Sequence, residues 1–538
     1  MQSGEILISD YKVLLINTSV TSQFSEGLTF QEHLGLGYLA GVLKEKVEVE
    51  IIDCMIQNIT MKGLLQIVRE KKPDFIGLTA TNKSINNAIQ FSREFKGNTR
   101  MHMCLGGHHA TFAAEEILKT SFYDTIVYGE GEQTIIELIE ALKKNSELDN
   151  IKGIYFKRNN NIYRGKSRKN IVNLDTLPFP DRSIPEYCLE NNILLILNIV
   201  SSRGCPYNCN FCDIAKFYRI GGKPWRARSS KNFVDELEIL AKKYSAFTIQ
   251  FSDDNFIGYN SDKTRVYEIA NEIINRGIKI SFDIRCRADS FKKVEDDDLI
   301  KLLKQAGMKS ILLGIDGGCK STLKLYNKGI TIDKNIKMIN YLKSHNIVLQ
   351  MGYIMFNPFL NLAELKEQLD FFIKTGQTQY FQMTNRLEIY PGVDIIQKLK
   401  NEGLLVDYSH DKIFSYNYKD QKVKIIADSL SDVQPEMIEF DGLIQHLELL
   451  KPEMENLRLK AKDIKEKIDN IYRNKDLMVQ NYFDFFKKTI ELVEKSWDND
   501  KFNRLKERTL RNLRKINTST LELVLKIKTY FNENIESS

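Results

Sequence analysis

Residues 202–213 read Ser202-Arg203-Gly204-Cys205-Pro206-Tyr207-Asn208-Cys209-Asn210-Phe211-Cys212-Asp213. The run follows directly on the apolar stretch 193–200, and its C-x3-C-x2-C spacing brings three thiols close together. Iron–sulfur clusters are usually held by four thiolates. Three thiolates packed this closely can bind three irons of a 4Fe–4S cube and leave the fourth open. An open coordination position is what separates a catalytic metal site from a structural one. A zinc site would need a fourth ligand, which zinc fingers draw from a second C-x2-C or H-x3-5-H pair, and none follows. Cys286 and Cys319 stand alone, and isolated free cysteines behave as small buried hydrophobes. A disulfide reading fails on spacing and context.

The rest of the chain sets bounds on this site. A chain of 538 residues is too long for one core and predicts two to four domains. Its 42% hydrophobic and 28% charged content are those of a globular protein. No apolar run approaches the roughly 18 residues that span a membrane. Residues 1–10 show no basic region followed by an apolar one, so no signal peptide is visible. Eight cysteines in this length are no secreted disulfide framework. A reducing cytoplasm is the expected compartment, and an oxygen-labile cluster would need it. The net charge is +6, of which about +5 lies in residues 451–538, and it gives no sign of nucleic-acid binding. The basic tail reads as a solvated helical face or as a surface for an acidic partner.

Upstream, strand and helix patterns alternate over residues 11–145. Strands are expected at 12–17, 47–53, 75–79, 102–105 and 125–128, with helices between them. Alternation of this kind implies a parallel sheet covered on both faces, α/β and doubly wound (Rossmann-like). Ligands in such sheets sit beyond the carboxyl ends of the strands. The special turns fall there: Asn17-Thr18-Ser19, Thr79-Ala80-Thr81, Gly106-Gly107 and Gly129-Glu130-Gly131-Glu132. Residues 151–168 read as a polar hairpin turning at Asn159-Asn160-Asn161, and 174–181 as a linker in which two prolines forbid regular helix. Downstream, strands are expected at 195–201, 248–252, 279–284, 310–314, 349–355 and 379–383, with helices between. Six strand–helix units predict a (β/α)6 partial TIM barrel, whose chemistry sits at the C-terminal strand ends, where Cys205 falls. From 405 onward the pattern is helical. Leu457, Ala461, Ile464, Ile468 and Ile471 form a seam that packs on the barrel or serves as a platform for a substrate or partner. The aromatic run Tyr482-Phe483-Asp484-Phe485-Phe486 reads as core or as a lipid- or peptide-facing wall. The expected domains are 1–150, a linker with hairpin over 151–190, a barrel over 191–404 and a mostly helical domain over 405–538.

The cysteine spacing resembles the signature of the radical S-adenosylmethionine (SAM) enzymes, in which the cofactor's amino and carboxylate groups chelate the open iron. Cys205, Cys209 and Cys212 would be the metal-binding, catalytic set, and Phe211 stands where the family carries an aromatic near adenine. Ser252-Asp253-Asp254-Asn255-Phe256 resembles the D-D-N-F run of the cobalamin-dependent branch. Carboxylates there would hold the SAM ammonium group by charge-assisted bonds, although Asp and Asn also suit a helix N-cap. Asp316, in Ile315-Asp316-Gly317-Gly318, replaces a Glu of relatives. Arg285 or Arg287 would pair with the SAM carboxylate bidentately or form a surface ion pair. Ile354, in Gly352-Tyr353-Ile354-Met355-Phe356-Asn357-Pro358, partly matches a G-x-I-x-G-x-P segment near adenine; Phe356 occupies the second Gly.

Residues 11–145 resemble the cobalamin-binding domain of the same enzymes, on Leu34-Gly35-Leu36-Gly37-Tyr38-Leu39-Ala40, Gly106-Gly107-His108-His109-Ala110-Thr111 and Gly129-Glu130-Gly131-Glu132. Thr79, Thr81, Gly106, Gly107, His109, Gly129, Glu130 and Gly131 would contact cobalamin; glycines let backbone approach a large ligand. The D-x-H-x-x-G loop that supplies a cobalt-ligating histidine elsewhere is missing; Asn17-Thr18-Ser19-Val20-Thr21-Ser22 takes its place. Cobalamin is therefore expected base-off with no histidine on cobalt. The resemblance implies a 4Fe–4S cluster, SAM and cobalamin, a 5′-deoxyadenosyl radical that abstracts hydrogen, and a flavodoxin-type or other low-potential reductant. It implies methyl transfer from methylcobalamin to an unactivated carbon or to phosphorus, in natural-product or peptide biosynthesis. The alternative is cyclisation, ring contraction or rearrangement without methyl transfer. The substrate, a small molecule or peptide, is left unnamed.

Overall fold

The computed structural model describes residues 9–18, 30–95, 101–244, 248–259, 262–292, 295–377, 380–407, 414–449 and 462–535. Strand β1 (Ser9–Asn17) is an inner strand of the first sheet, next to its edge, and β2 (Phe30–Gln31) leaves to join the second. The first sheet continues with β3 (Val47–Asp53), β4 (Phe75–Thr79), β5 (His102–Gly106), β6 (Thr125–Val127), β7 (Ile154–Arg158) and β8 (Asn161–Arg164), in the order β3-β1-β4-β5-β6-β7-β8. Pairing is parallel as far as β6. The β7–β8 hairpin then adds antiparallel to that edge, so the polar hairpin read in the joining stretch is part of the sheet. Its turn residues Asn159 and Asn160 take left-handed φ of 51° and 62°, which Asn tolerates.

Helices α1 (Leu34–Leu43) and α5 (Glu132–Lys143) cover one face, and α2 (Met61–Lys71), α3 (Ile85–Glu94) and α4 (His108–Thr120) cover the other. The two-residue period of a strand explains how. Val13 and Leu15 of β1 join the core with α1 and α5, while Leu14 and Ile16 join the core with α2, α3 and α4. All four are buried, as a central strand between helical layers requires.

The second sheet system is the partial barrel. Its strands are β9 (Leu195–Ile199), β12 (Thr248–Phe251), β13 (Phe282–Arg287), β14 (Met308–Asp316) and β15 (Val348–Tyr353). They pair in parallel as β2-β9-β12 and β13-β14-β15, with β12 packed beside β13. The N-terminal region thus lends β2 to the barrel edge. Between β9 and β12, β10 (Ser202–Gly204) pairs antiparallel with β11 (Trp225–Ala227) and clamps both ends of the cysteine segment. The sixth strand is not at 379–383: Tyr380–Thr384 is helical, and residues 378–379 lie outside the described residues. Asn385 and Leu387 take its place, bonding both sides of Phe356, with Phe356 and Arg386 in a parallel bridge.

The chain ends in helices Gln421–Ser431, Gln434–Leu449, Lys462–Lys495 and Asn499–Ile535. Leu457 and Ala461 lie outside the described residues, as does the side chain of Ile464; Ile468 and Ile471 are buried. Tyr482, Phe483, Phe485 and Phe486 are core, and Phe486 stacks on barrel residue Phe356 at 5.8 Å. Among the described residues, no helix is long and apolar enough to cross a membrane.

Candidate active site

A cavity of about 470 Å³ opens where the C-terminal ends of β1, β4, β5 and β6 face the first turns of the barrel. This is where a doubly wound sheet places its ligand, and the volume falls within the ~300–1,000 Å³ of small-molecule sites. Thr79, Thr81, Gly106, Gly107, Gly129, Glu130 and Gly131 line it from the sheet side; Ser202, Arg203, Phe217, Tyr218 and Asp254 line it from the barrel side. Gly107 has φ +98°, and a Cβ there would stand 2.8 Å from the Ala80 carbonyl and 2.9 Å from Thr79 Oγ1. The two turns touch only because the side chain is absent. Thr81 closes its own turn through Ser84, at 3.0 Å from its amide to Ser84 Oγ.

The histidines divide. His33 caps α1, its Nδ1 accepting from the Leu36 amide at 3.3 Å, with Nε2 3.4 Å from Thr79 Oγ1. His108 lines the cavity, stacks on Phe217 at 4.1 Å and holds Asp213 at 3.2 Å. Burial disfavours its charged form, but the Asp213 bond outweighs burial and raises its pKa. Asp213 directly follows Cys212, so this contact ties the Gly-Gly turn to the cysteine segment. His109, the sequence's candidate, is buried off the cavity wall.

Glu130 makes contacts on both sides of the cavity. It lines the cavity, but its carboxylate accepts from Arg226 at 2.7 and 3.1 Å, from Arg203 at 3.1 Å and from the Ile171 amide at 3.0 Å. Arg203 also pairs with Glu132 at 2.6 Å and lies over the Tyr38 ring. Desolvation works against the Glu130 charge, yet the two guanidiniums keep its pKa below the usual carboxylate range. Glu130 therefore joins the sheet to the barrel.

Cys205, Cys209 and Cys212 are partly exposed free thiols, outside the cavity lining but held next to it. Gly204, with φ +87°, donates its amide to Asp254 at 3.0 Å; a Cβ there would strike the Pro224 carbonyl. Burial raises all three thiol pKa values. No three His, Cys, Asp or Glu groups among the described residues converge as one metal ion would require. Three thiols on one short segment, with no fourth ligand among them, are the donor chemistry that a 4Fe–4S cluster with one open iron would take.

The Asp-Asp-Asn run splits by role. Asp253 is fully buried and accepts from the Ser201 amide at 3.1 Å, Ser201 Oγ at 2.8 Å and Ser202 Oγ. It braces the strand entering the cysteine segment and does not face the cavity. Asp254 opens to the cavity within a shell of protein, and desolvation raises its pKa. Asn255 reaches toward Cys205 Sγ, 3.9 Å away, and accepts from the Gly258 amide at 3.0 Å. Arg285 Nε is buried with no acceptor among the described residues, and its charge acts on Asp254; this fits an anionic group such as the SAM carboxylate. Arg287, itself buried, pairs with partly exposed Asp289 at 2.8 Å. Asp316, at φ +63°, pairs with buried Lys328, a partner that the sequence did not disclose. Phe211 packs on Tyr326 at 4.7 Å and shares an apolar cluster with Ile354. Phe356 is wholly buried.

Two family models match the chain. The B12 binding domain model matches residues 29–139 and the Radical SAM superfamily model matches 199–372. The chain is 30% identical to uncharacterized methyltransferase PH0819 of Pyrococcus horikoshii, over 69% of this chain and 79% of that one. It is 29% identical to the anaerobic magnesium-protoporphyrin IX monomethyl ester cyclase of Rubrivivax gelatinosus, over 60% of this chain and only 58% of the cyclase. The fold matches the cobalamin-dependent SAM radical enzyme OxsB, solved with aqua-cobalamin and SAM, at TM-score 0.70 and 20% identity, over 98% of this chain and 82% of that one. With both family models matched in chain order and a relative at this identity, the chain belongs to the cobalamin-dependent radical SAM enzymes.

Proposed function

We propose that the chain is a methyltransferase that moves a methyl group from methylcobalamin to an unactivated carbon, or to phosphorus, of a small molecule or peptide. The observation that carries this reading is the cavity shared by the glycine turns and the barrel, with His108–Asp213 and Glu130–Arg203 holding its two walls together. The similarity to a protein named as a methyltransferase supports it. When bound, the cluster with SAM supplies a radical and cobalamin supplies the methyl group. Cys205, Cys209 and Cys212 hold the cluster; Arg285 and Asp254 orient the SAM carboxylate and ammonium. Phe211 and Ile354 flank adenine. Gly106, Gly107, Gly129 and Gly131 give cobalamin close backbone approach, and Thr79 bonds its tail. Cobalamin bound here would be base-off with no histidine on cobalt; in support of the missing histidine ligand, His33 and His108 are each held by protein groups, and His109 lies off the wall. Residues 1–150 form the cobalamin-binding domain, 151–190 the connection, 191–404 the radical SAM barrel and 405–538 a helical domain packed on it. A flavodoxin-type or other low-potential reductant supplies electrons in a reducing cytoplasm.

A second reading, cyclisation or rearrangement without methyl transfer, is favoured by the similarity to the Rubrivivax cyclase. Anaerobic turnover separates the two. Methyl transfer yields both S-adenosylhomocysteine and 5′-deoxyadenosine; 5′-deoxyadenosine alone, with substrate consumed and no methyl added, contradicts it.

A further inference from the structure

Arg287 stands apart among the charged groups at the barrel mouth, because one of its nitrogens meets a sulfur. Its Nη1 is 3.6 Å from Cys209 Sγ. The rest of the guanidinium is fixed. Nε and Nη2 grip Asp289 at 2.8 and 3.1 Å, Nη2 also donates to the Lys328 carbonyl, and the plane lies over the Tyr207 ring at 4.0 Å. The residue is 7% exposed. A turn-bracing arginine needs only the Asp289 fork. The orientation here spends a further N–H on a cluster ligand. Asn255 offers Cys205 a longer and uncharged donor at 3.9 Å.

We propose that Arg287 sets the reduction potential of the cluster by donating an N–H···S bond to the Cys209 thiolate. The inference rests on the cluster assignment made above. The couple takes one electron from the external low-potential reductant, no bond forms or breaks, and the cluster becomes one unit more negative. A donor aimed at sulfur binds the more negative state better, so it favours reduction; hydrogen bonds to sulfur and burial are among the levers that tune such centres. The effect to be expected from one such charged donor is about tenfold in the reduced-to-oxidised ratio.

The test is an EPR-monitored redox titration of the reconstituted full chain, with iron measured in every sample. Arg287→Met should retain iron and shift the midpoint more negative by about tenfold in ratio, which is ~59 mV for one electron. Arg287→Lys, which keeps charge but loses the fork, should fall between. An unchanged midpoint in a variant that retains iron overturns the proposal. If Arg287→Met loses iron or fails to fold, wild-type protein carrying 15N-arginine decides: pulsed EPR of the reduced cluster should show a 15N coupling, and its absence overturns the proposal. Wild-type chain that takes up no iron would instead overturn the cluster assignment beneath it.

Discussion

At the residue scale, neighbours in sequence do unlike work. Asp253 and Asp254 are adjacent, yet one is sealed among hydroxyl and amide donors and the other opens to the cavity. Asp253→Ala leaves the Ser201 amide and two buried hydroxyls without their acceptor, a cost of about 2–5 kcal/mol. Urea denaturation should show it as a lower midpoint. Asp254→Asn keeps an acceptor for the Gly204 amide, so stability should stay within about 1 kcal/mol while SAM affinity, read by equilibrium dialysis, falls. The cysteines were legible in the sequence because their spacing is local. The roles of Arg203, His108 and Lys328 were not, because Glu130, Asp213 and Asp316 reach them only through the fold. The Asp-Asp-Asn run was found but not divided, since a two-residue strand period says which residues face apart and not which face holds the cavity.

At the element scale, ion pairs bind the sheet to the barrel. Arg203→Ala removes a buried guanidinium shared by Glu130 and Glu132, leaving Glu132 without it, and should cost about 3–5 kcal/mol in denaturant unfolding. Lys in its place should not restore this, because it lacks the fork that reaches both carboxylates. A second network joins Glu32, beside β2, to Arg182, Glu236 and Arg228. Burial pushes Glu32 up to about 7 from 4.5, against the pull of Arg182. A carboxyl with a raised folded pKa binds its proton more tightly when folded. Stability should therefore fall as pH rises from about 4.5 to about 7, by about 3 kcal/mol. Glu32→Gln should flatten that dependence in thermal melts across the same range; an unchanged slope would contradict it. Five barrel strands were legible from apolar runs bounded by helices. The sixth was misplaced because the aromatic-rich run at 379–383 suits a strand, while packing against Gln434–Leu449 makes Tyr380–Thr384 a helix.

At the scale of the whole molecule, two α/β units share one cavity, and the helical end packs on the barrel through Phe486. The doubly wound order, the barrel and the helical end were legible because each repeats its period over many residues. Their juxtaposition over a cavity was expected from the family resemblance, but the ion pairs between distant segments that hold it were not legible. Two sites built by different elements should load independently. The most direct test is iron and cobalt per chain, measured on anaerobically reconstituted wild-type protein and on the Cys205→Ala, Cys209→Ala, Cys212→Ala triple variant. Wild type should hold about four irons and one cobalt, and the variant should lose the iron while keeping the cobalt. Iron content unchanged in the triple variant, or no cobalt bound by wild type, would contradict the two-cofactor account.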